Sequence, residues 1–212
     1  MRVIEQSAEL LYFPSNVTKT LEDIARGSHA SGDLAREGGS YGFVRKLLEH
    51  DPPHLSVLDH EYARAKFVTS RGTADELLRH RIGVGWMVES TRYCNYSKDR
   101  FGGQLTFIQP HDIQYLTPAY TAWESVMRAA DFAYSDMINV GVRPEIARGV
   151  LPLDIKTTVV LTATFTAWKH IGRLRLLSKR AHPQLRALLK PLYTKFADLC
   201  PAVFGEYAIE EE

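Results

Sequence analysis

The sequence predicts an α+β fold: a helix-rich single domain over residues 1–212 with a small, mostly antiparallel sheet. Three observations lead there. Amphipathic segments with helix start and stop signals recur along the chain, β-branched runs are short and few, and no internal repeat, low-complexity tract or linker divides it. With 212 residues, 45% apolar and 24% charged, the chain is long enough to bury a substantial core.

Taken in order, the first elements are two helices, "VTKTLEDIARG" and "YGFVRKLLEH". Between them Gly27 to Ser40 is rich in Gly and Ser and reads as a surface loop. The run "ARAKFVTS" from Ala63 mixes β-branched and aromatic residues with polar ones, as a strand does, and Arg71-Gly72 follows as a turn. Thr73 and Glu76 have capping-box spacing and open a helix carrying Arg79 and His80. "GGQLTFIQP" reads as a short strand after a glycine turn. Thr117-Pro118 opens a long amphipathic helix that ends near Gly141, and Pro144 opens a short one, "PEIARGV". "KTTVVLTATF" is a strand, Thr166 caps the helix "AWKHIGRLRLL", and "HPQLRALLKPLYTKFADLC" is a last helix kinked at Pro191. The sheet then holds three or four strands.

Charge and cysteine usage exclude several classes. With 26 basic against 25 acidic residues the molecule has no basic field for nucleic acid, so any anion site is local. Two cysteines, Cys94 and Cys200, make no disulfide framework. The start, "MRVIEQSAELLYFPSN", lacks the basic-then-apolar pattern of a signal peptide, and no apolar run reaches the ~18 residues of a membrane span. A cytoplasmic protein is the expectation.

The chemistry gathers in "LLRHRIGVGWMVESTRYCNYSKDRFGG". Adjacent helical residues point about 100° apart, so Arg79 and Arg81 cannot share a helix face with His80. If the three serve one ligand, they do so where the helix ends, as Gly83 and Gly85 suggest. Two readings compete: an anion-binding turn, or solvated arginines paired with Asp75 and Glu76. Glu89, Ser90, Thr91 and Arg92 form a second cluster, suited to phosphate oxygens or to an ordinary polar loop. No glycine pattern matches a phosphate-cradling or dinucleotide fingerprint, and "HLSVLDH" spaces its histidines too widely for a metal, so no metal is expected. Cys94 reads better as an inert thiol than as a nucleophile. Arg148, Arg173 and Arg175 are further cations; Arg173 and Arg175 lie two apart, so at most one enters a given site.

These residues resemble the signature of the flavin-dependent thymidylate synthases, an Arg-His-Arg followed after seven or eight residues by Ser. Here eight residues separate Arg81 from Ser90. The segments "HLSVLDH", "GVRPEIARGVLP" and "AWKHIGRLRLLSKRAHPQLR" resemble others of the family in the same order, from about Pro53 to Phe204, with a weaker match at "IARGSHASG". The resemblance implies a homotetramer with FAD in active sites between subunits. It implies methylation of dUMP to dTMP, with 5,10-methylenetetrahydrofolate giving the carbon and NADPH the reducing equivalents. By position it assigns Arg79, His80 and Arg81 to the flavin-binding turn, with His54, Ser56 and His170. Glu76, Arg79, Ser90, Thr91, Arg92 and Arg148 go to the dUMP pocket, completed by Glu89, and Arg175 becomes the arginine that polarises the uracil.

Some positions depart from the family pattern. Val88 stands where many members have an acidic or amide side chain, Thr164 and Thr166 stand where an Asn and an Arg commonly meet the flavin, and Asp75 is unusual. Such changes weaken FAD contacts. The rival expectations are therefore a relative that hydroxymethylates a pyrimidine nucleotide, and a flavin- or nucleotide-binding relative without turnover.

Overall fold

Period-two alternation builds the main sheet. In the strand Tyr62–Ser70 (β3) the residues Ala63, Ala65, Phe67 and Thr69 are buried, and in Lys156–Thr164 (β6) Thr157, Val159, Leu161 and Ala163 are buried. Each strand thus buries one face. With Ser7–Tyr12 (β2) and Val84–Val88 (β4) they form a four-stranded sheet in the order β2-β3-β6-β4.

Backbone hydrogen bonds give the strand directions. Phe165 N–H donates to the Glu61 carbonyl and Arg71 N–H to that of Ile155, so β3 and β6 run antiparallel. Glu89 N–H to Thr158 and Thr164 N–H to Gly83 make β4 antiparallel to β6 in the same way. A second, two-stranded sheet was not expected from sequence: Arg2–Ile4 (β1) pairs in parallel with Thr106–Ile108 (β5).

The computed structural model describes residues 1–35, 37–98 and 101–208; Arg36 in the predicted loop and Asp99 and Arg100 in the motif segment lie outside them. Eight α-helices are named among these: Val17–Gly27 (α1), Ser40–Glu49 (α2), Arg71–Leu78 (α3), Pro118–Asn139 (α4), Pro144–Ala147 (α5), Phe165–Gly172 (α6), Pro183–Leu199 (α7) and Pro201–Phe204 (α8). The first two match the sequence reading, and α4 starts as expected, with the Thr117 hydroxyl accepting Tyr120 N–H. Gly141, at φ 90°, follows its last turn.

Two caps differ from expectation. Ser70, not Thr73, caps α3, its hydroxyl accepting Thr73 N–H at 3.1 Å. Arg71 and Gly72, read as a turn, form the first turn of that helix because their N–H groups donate to the Ile155 and Leu153 carbonyls. Likewise Thr164, not Thr166, caps α6 by accepting Ala167 N–H at 3.3 Å. Helix α3 also ends at Leu78, leaving Arg79 as its cap residue and His80 beyond it. Nor is α7 the last helix: Pro201 opens α8.

The chain divides into two compact units, Met1–Ser7 with Phe67–Arg79 and Trp86–Val160, and Ala8–Lys66 with His80–Gly85 and Leu161–Glu212. The first packs Tyr96, Leu105, Phe107, Met127, Ala130, Tyr134, Ala147 and Ile155 into one core. The second buries an aromatic cluster of Phe165, Trp168, Tyr193, Phe196, Phe204 and Tyr207, mostly edge-on.

Candidate functional site

The expected site residues divide between the units. Glu76, Arg79, Glu89, Ser90, Thr91, Arg92 and Arg148 belong to the first, and His54, Ser56, His80, Arg81, His170 and Arg175 to the second.

In the first unit a tight hydroxyl-rich turn follows β4. The Ser90 hydroxyl accepts Arg92 N–H at 3.3 Å and its carbonyl accepts Cys94 N–H at 3.1 Å. Thr91 is buried, and its hydroxyl accepts from Arg148 Nη1 at 3.3 Å. Pro144 starts α5 and a 3-10 turn at Arg148–Val150 follows, which aims Arg148 at the loop. The structure thus joins Thr91 to Arg148 and closes Ser90 onto the Arg92 backbone, while the exposed Arg92 guanidinium lies over the Tyr93 ring, 5.5 Å from its centroid. Arg79 is also exposed and Glu76 is half-buried.

Glu89 is placed otherwise. Its carboxylate oxygens are taken by Lys156 Nζ at 2.5 Å and by the Tyr96 hydroxyl at 3.0 Å. Burial and the adjacent carboxylate push the Tyr96 phenol up, so it stays protonated and donates. Arg71 adds a clamp the sequence reading missed, donating from Nη1 to the Glu89 carbonyl at 3.4 Å and to the Thr157 hydroxyl at 3.3 Å.

In the second unit His80 is the centre. It is buried at 8% exposure, whereas Arg79 and Arg81 on either side are exposed, as divergence about a helix end requires. Arg175 Nε donates to His80 Nε2 at 3.2 Å, and the His170 ring stands edge-on at 5.5 Å between centroids. Burial, then Arg175, then His170 lower the His80 pKa to about 4. The imidazole is neutral at pH 7 and can accept from the guanidinium.

Local folding explains the convergence. Beyond Arg81 the chain turns at Gly83, whose φ is 69°, and a Cβ there would lie 2.7 Å from Thr164 Oγ1. Only glycine lets this turn lie against the start of α6. After α6 the helix widens into a π turn over Arg173–Leu177. Arg175 meets His80, while Arg173 lines a separate cavity of about 380 Å³ with Thr166, Lys169, His170, Glu206 and Tyr207.

His54 and Ser56 line a larger cavity of about 600 Å³. Its walls are apolar at Ile24, Phe43, Leu47 and Val57 and polar at Arg26, Ser28, His29 and His60. Arg26, unremarked in the sequence, donates from Nε to the buried Glu22 at 2.7 Å and lies over the Phe43 ring. The Ser40 and Arg26 hydrogen bonds hold the Glu22 carboxyl below its ordinary range. Thr164 and Thr166 are engaged within the fold: besides capping α6, Thr164 donates to Asp59 at 3.2 Å, and Thr166 donates to the Leu55 carbonyl at 3.2 Å. Among the described residues no group of His, Cys, Asp and Glu is placed to hold a metal, Cys94 and Cys200 are free thiols, and no helix is long and apolar enough to cross a membrane.

Comparison with known proteins gives the family and the fold. A flavin-dependent thymidylate synthase from Pyrococcus furiosus is 32% identical over 134 residues, 63% of this chain and 53% of that protein, so the chain spans about half of that relative's length. Two solved structures share the fold across nearly the whole chain. The UMP/dUMP methylase PolB from Streptomyces cacaoi, bound with 5-Br dUMP, has a TM-score of 0.79 at 21% identity, covering 98% of this chain and 96% of its own. Thymidylate Synthase X from Helicobacter pylori, with FAD and dUMP, has a TM-score of 0.75 at 17% identity, covering 97% and 100%. The profile of one family, described as thymidylate synthase complementing protein, matches residues 1–202. On that match the chain belongs to the thymidylate synthase complementing protein family.

Proposed function

We propose that the chain is an FAD-dependent thymidylate synthase. It reductively methylates dUMP to dTMP with 5,10-methylenetetrahydrofolate and NADPH, as a homotetramer with active sites between subunits. One observation carries the reading: a neutral, buried His80 accepts from Arg175, so the arginine expected to act on uracil is held in place within the family's Arg-His-Arg turn.

Uracil C5 is a weak nucleophile, and negative charge develops on the pyrimidine oxygens as C5 becomes electron-rich. A guanidinium held in one plane stabilises that charge without reorganising. Arg175 is that group. Its Nε is spent on His80, which fixes the plane, and His170 beside them adds to the field keeping His80 unprotonated. Ser90, Thr91, Arg92 and Arg148 supply hydroxyl and guanidinium donors for the nucleotide phosphate. Cys94 is not needed as a nucleophile, and the Ser90 hydroxyl accepts from the Arg92 N–H, the part of a phosphate-turn residue rather than of a base-activated nucleophile.

The residues fit a flavin. A flat ring system with polar edges suits a cavity whose apolar walls carry Arg26, Ser28, His54 and Ser56 as hydrogen-bonding groups. His54 and Ser56 would hold it in this cavity; Arg79, His80, Arg81 and His170, the other flavin residues the resemblance implies, lie outside its lining. Bound there, FAD would supply the redox chemistry of the methyl transfer.

The test is the visible spectrum of the purified protein before and after dUMP. A flavin spectrum that shifts on dUMP addition, with release of the C5 hydrogen of dUMP when methylenetetrahydrofolate and NADPH are added, is the expected result. A protein that cannot be reconstituted with FAD refutes it. In that event a relative without turnover is the better reading, and one observation favours it: both threonine hydroxyls that replace the family's flavin contacts are committed to Asp59 and Leu55. Product analysis separates dTMP from a hydroxymethylated nucleotide.

A further inference from the structure

We propose that Lys156 is a positioning and charge-screening residue for the nucleotide-phosphate turn, acting through Glu89, and that Glu89 is not a ligand of the nucleotide. The inference rests on the dUMP reading above and corrects the role expected for Glu89.

The geometry is specific. Glu89 immediately precedes Ser90 and Thr91, and its carboxylate is turned to Lys156 at 2.5 Å and Tyr96 at 3.0 Å. The pair is largely enclosed, with side-chain exposures of 24% and 18%, so water screens it weakly. The backbone of Glu89 is pinned on both sides, its N–H to Thr158 at 2.9 Å and its carbonyl by Arg71 at 3.4 Å. Among the described residues these groups come from the start of β6, from Tyr96 and from the first residue of α3, and the turn starting at Ser90 inherits that placement.

Charge acts on the turn separately from placement. A carboxylate next to a phosphate turn opposes a dianionic ligand. Lys156 cancels it, leaving Arg92 and Arg148 as net positive charge on the turn. Without Lys156 the carboxylate is uncompensated, and at the separations of neighbouring residues the repulsion lowers phosphate-ligand affinity by about tenfold or more.

The readout is calorimetric titration of the protein with dUMP and with deoxyuridine, which lacks the phosphate. Lys156→Met should weaken dUMP by about tenfold or more and leave deoxyuridine unchanged. Lys156→Arg should bind dUMP as the parent does. Adding Glu89→Gln to Lys156→Met should restore most of the loss, because it removes the charge that lysine screened; a purely structural lysine would not be rescued. Turnover should show the same pattern, as a rise in KM for dUMP with kcat held. Equal dUMP affinity in parent and Lys156→Met, equal losses for dUMP and deoxyuridine, or no rescue in the double variant overturns the proposal. Failure of the parent protein to bind dUMP overturns the function reading instead. Should Lys156→Met not fold, Glu89→Gln alone decides: unchanged or tighter dUMP binding supports the proposal, and a large loss makes Glu89 a ligand.

Discussion

Acidification should strike this protein first at His80. Burial, then the Arg175 guanidinium, then the neighbouring His170 lower its pKa from 6.5 to about 4. The unfolded chain takes up a proton on this residue below pH 6.5, whereas the folded protein refuses it until about pH 4. The stability it contributes is therefore complete above pH 6.5 and is lost progressively as pH falls toward 4. Converted by linkage, a pKa difference of that size is worth up to roughly 3 kcal/mol, a large share of the stability of an ordinary domain. The assay is urea unfolding between pH 7.5 and 4, for the parent and for His80→Gln, whose amide oxygen can still accept from Arg175. The gap between the two should shrink by about that amount across the window, leaving the other titrating groups common to both. The ring proton of His80, followed by NMR, should titrate near pH 4. A midpoint at or above 6, or parallel stability profiles, would refute the argument.

Other perturbations probe the same framework. Gly172→Ala would place a Cβ 2.6 Å from Cε1 of both Tyr193 and Tyr207. Those buried rings are anchored by hydroxyl bonds to the Trp168 and Lys169 carbonyls, so thermal unfolding should show a loss of about 1–3 kcal/mol; an unchanged midpoint would mean the rings can move. Ser90→Ala should weaken dUMP binding by roughly 1–2 kcal/mol with turnover retained, and total inactivation at unchanged binding would instead make Ser90 a nucleophile. Arg175→Ala should abolish turnover while the flavin absorbance remains; a variant that loses FAD yet turns over would contradict its assigned role.

The departures from the sequence reading share one cause. Ser70 and Thr73 both carry hydroxyls in helix-start positions, as do Thr164 and Thr166, and local propensity does not choose between members of such pairs. The choice falls where β-pairing has already satisfied a neighbouring donor. Arg71 and Gly72 can open α3 only because the Ile155 and Leu153 carbonyls receive their N–H groups. For Glu89 the sequence offers only its place beside Ser90; its pairing with Lys156, 67 residues on, is set by the fold.

What the sequence by itself determined is what depends on short range: the helices from Val17 and Pro118, the strands β3 and β6, and the residue types of the two cationic clusters. Caps, proline at a first turn and period-two burial act within a few residues, so they are written where they operate. Tertiary structure alone decided the parallel pairing of β1 with β5, the neutral state of His80 beneath an arginine 95 residues away, and the capture of Glu89 by Lys156. Each depends on desolvation and on charges brought together by the fold, and neither quantity exists until distant segments have packed.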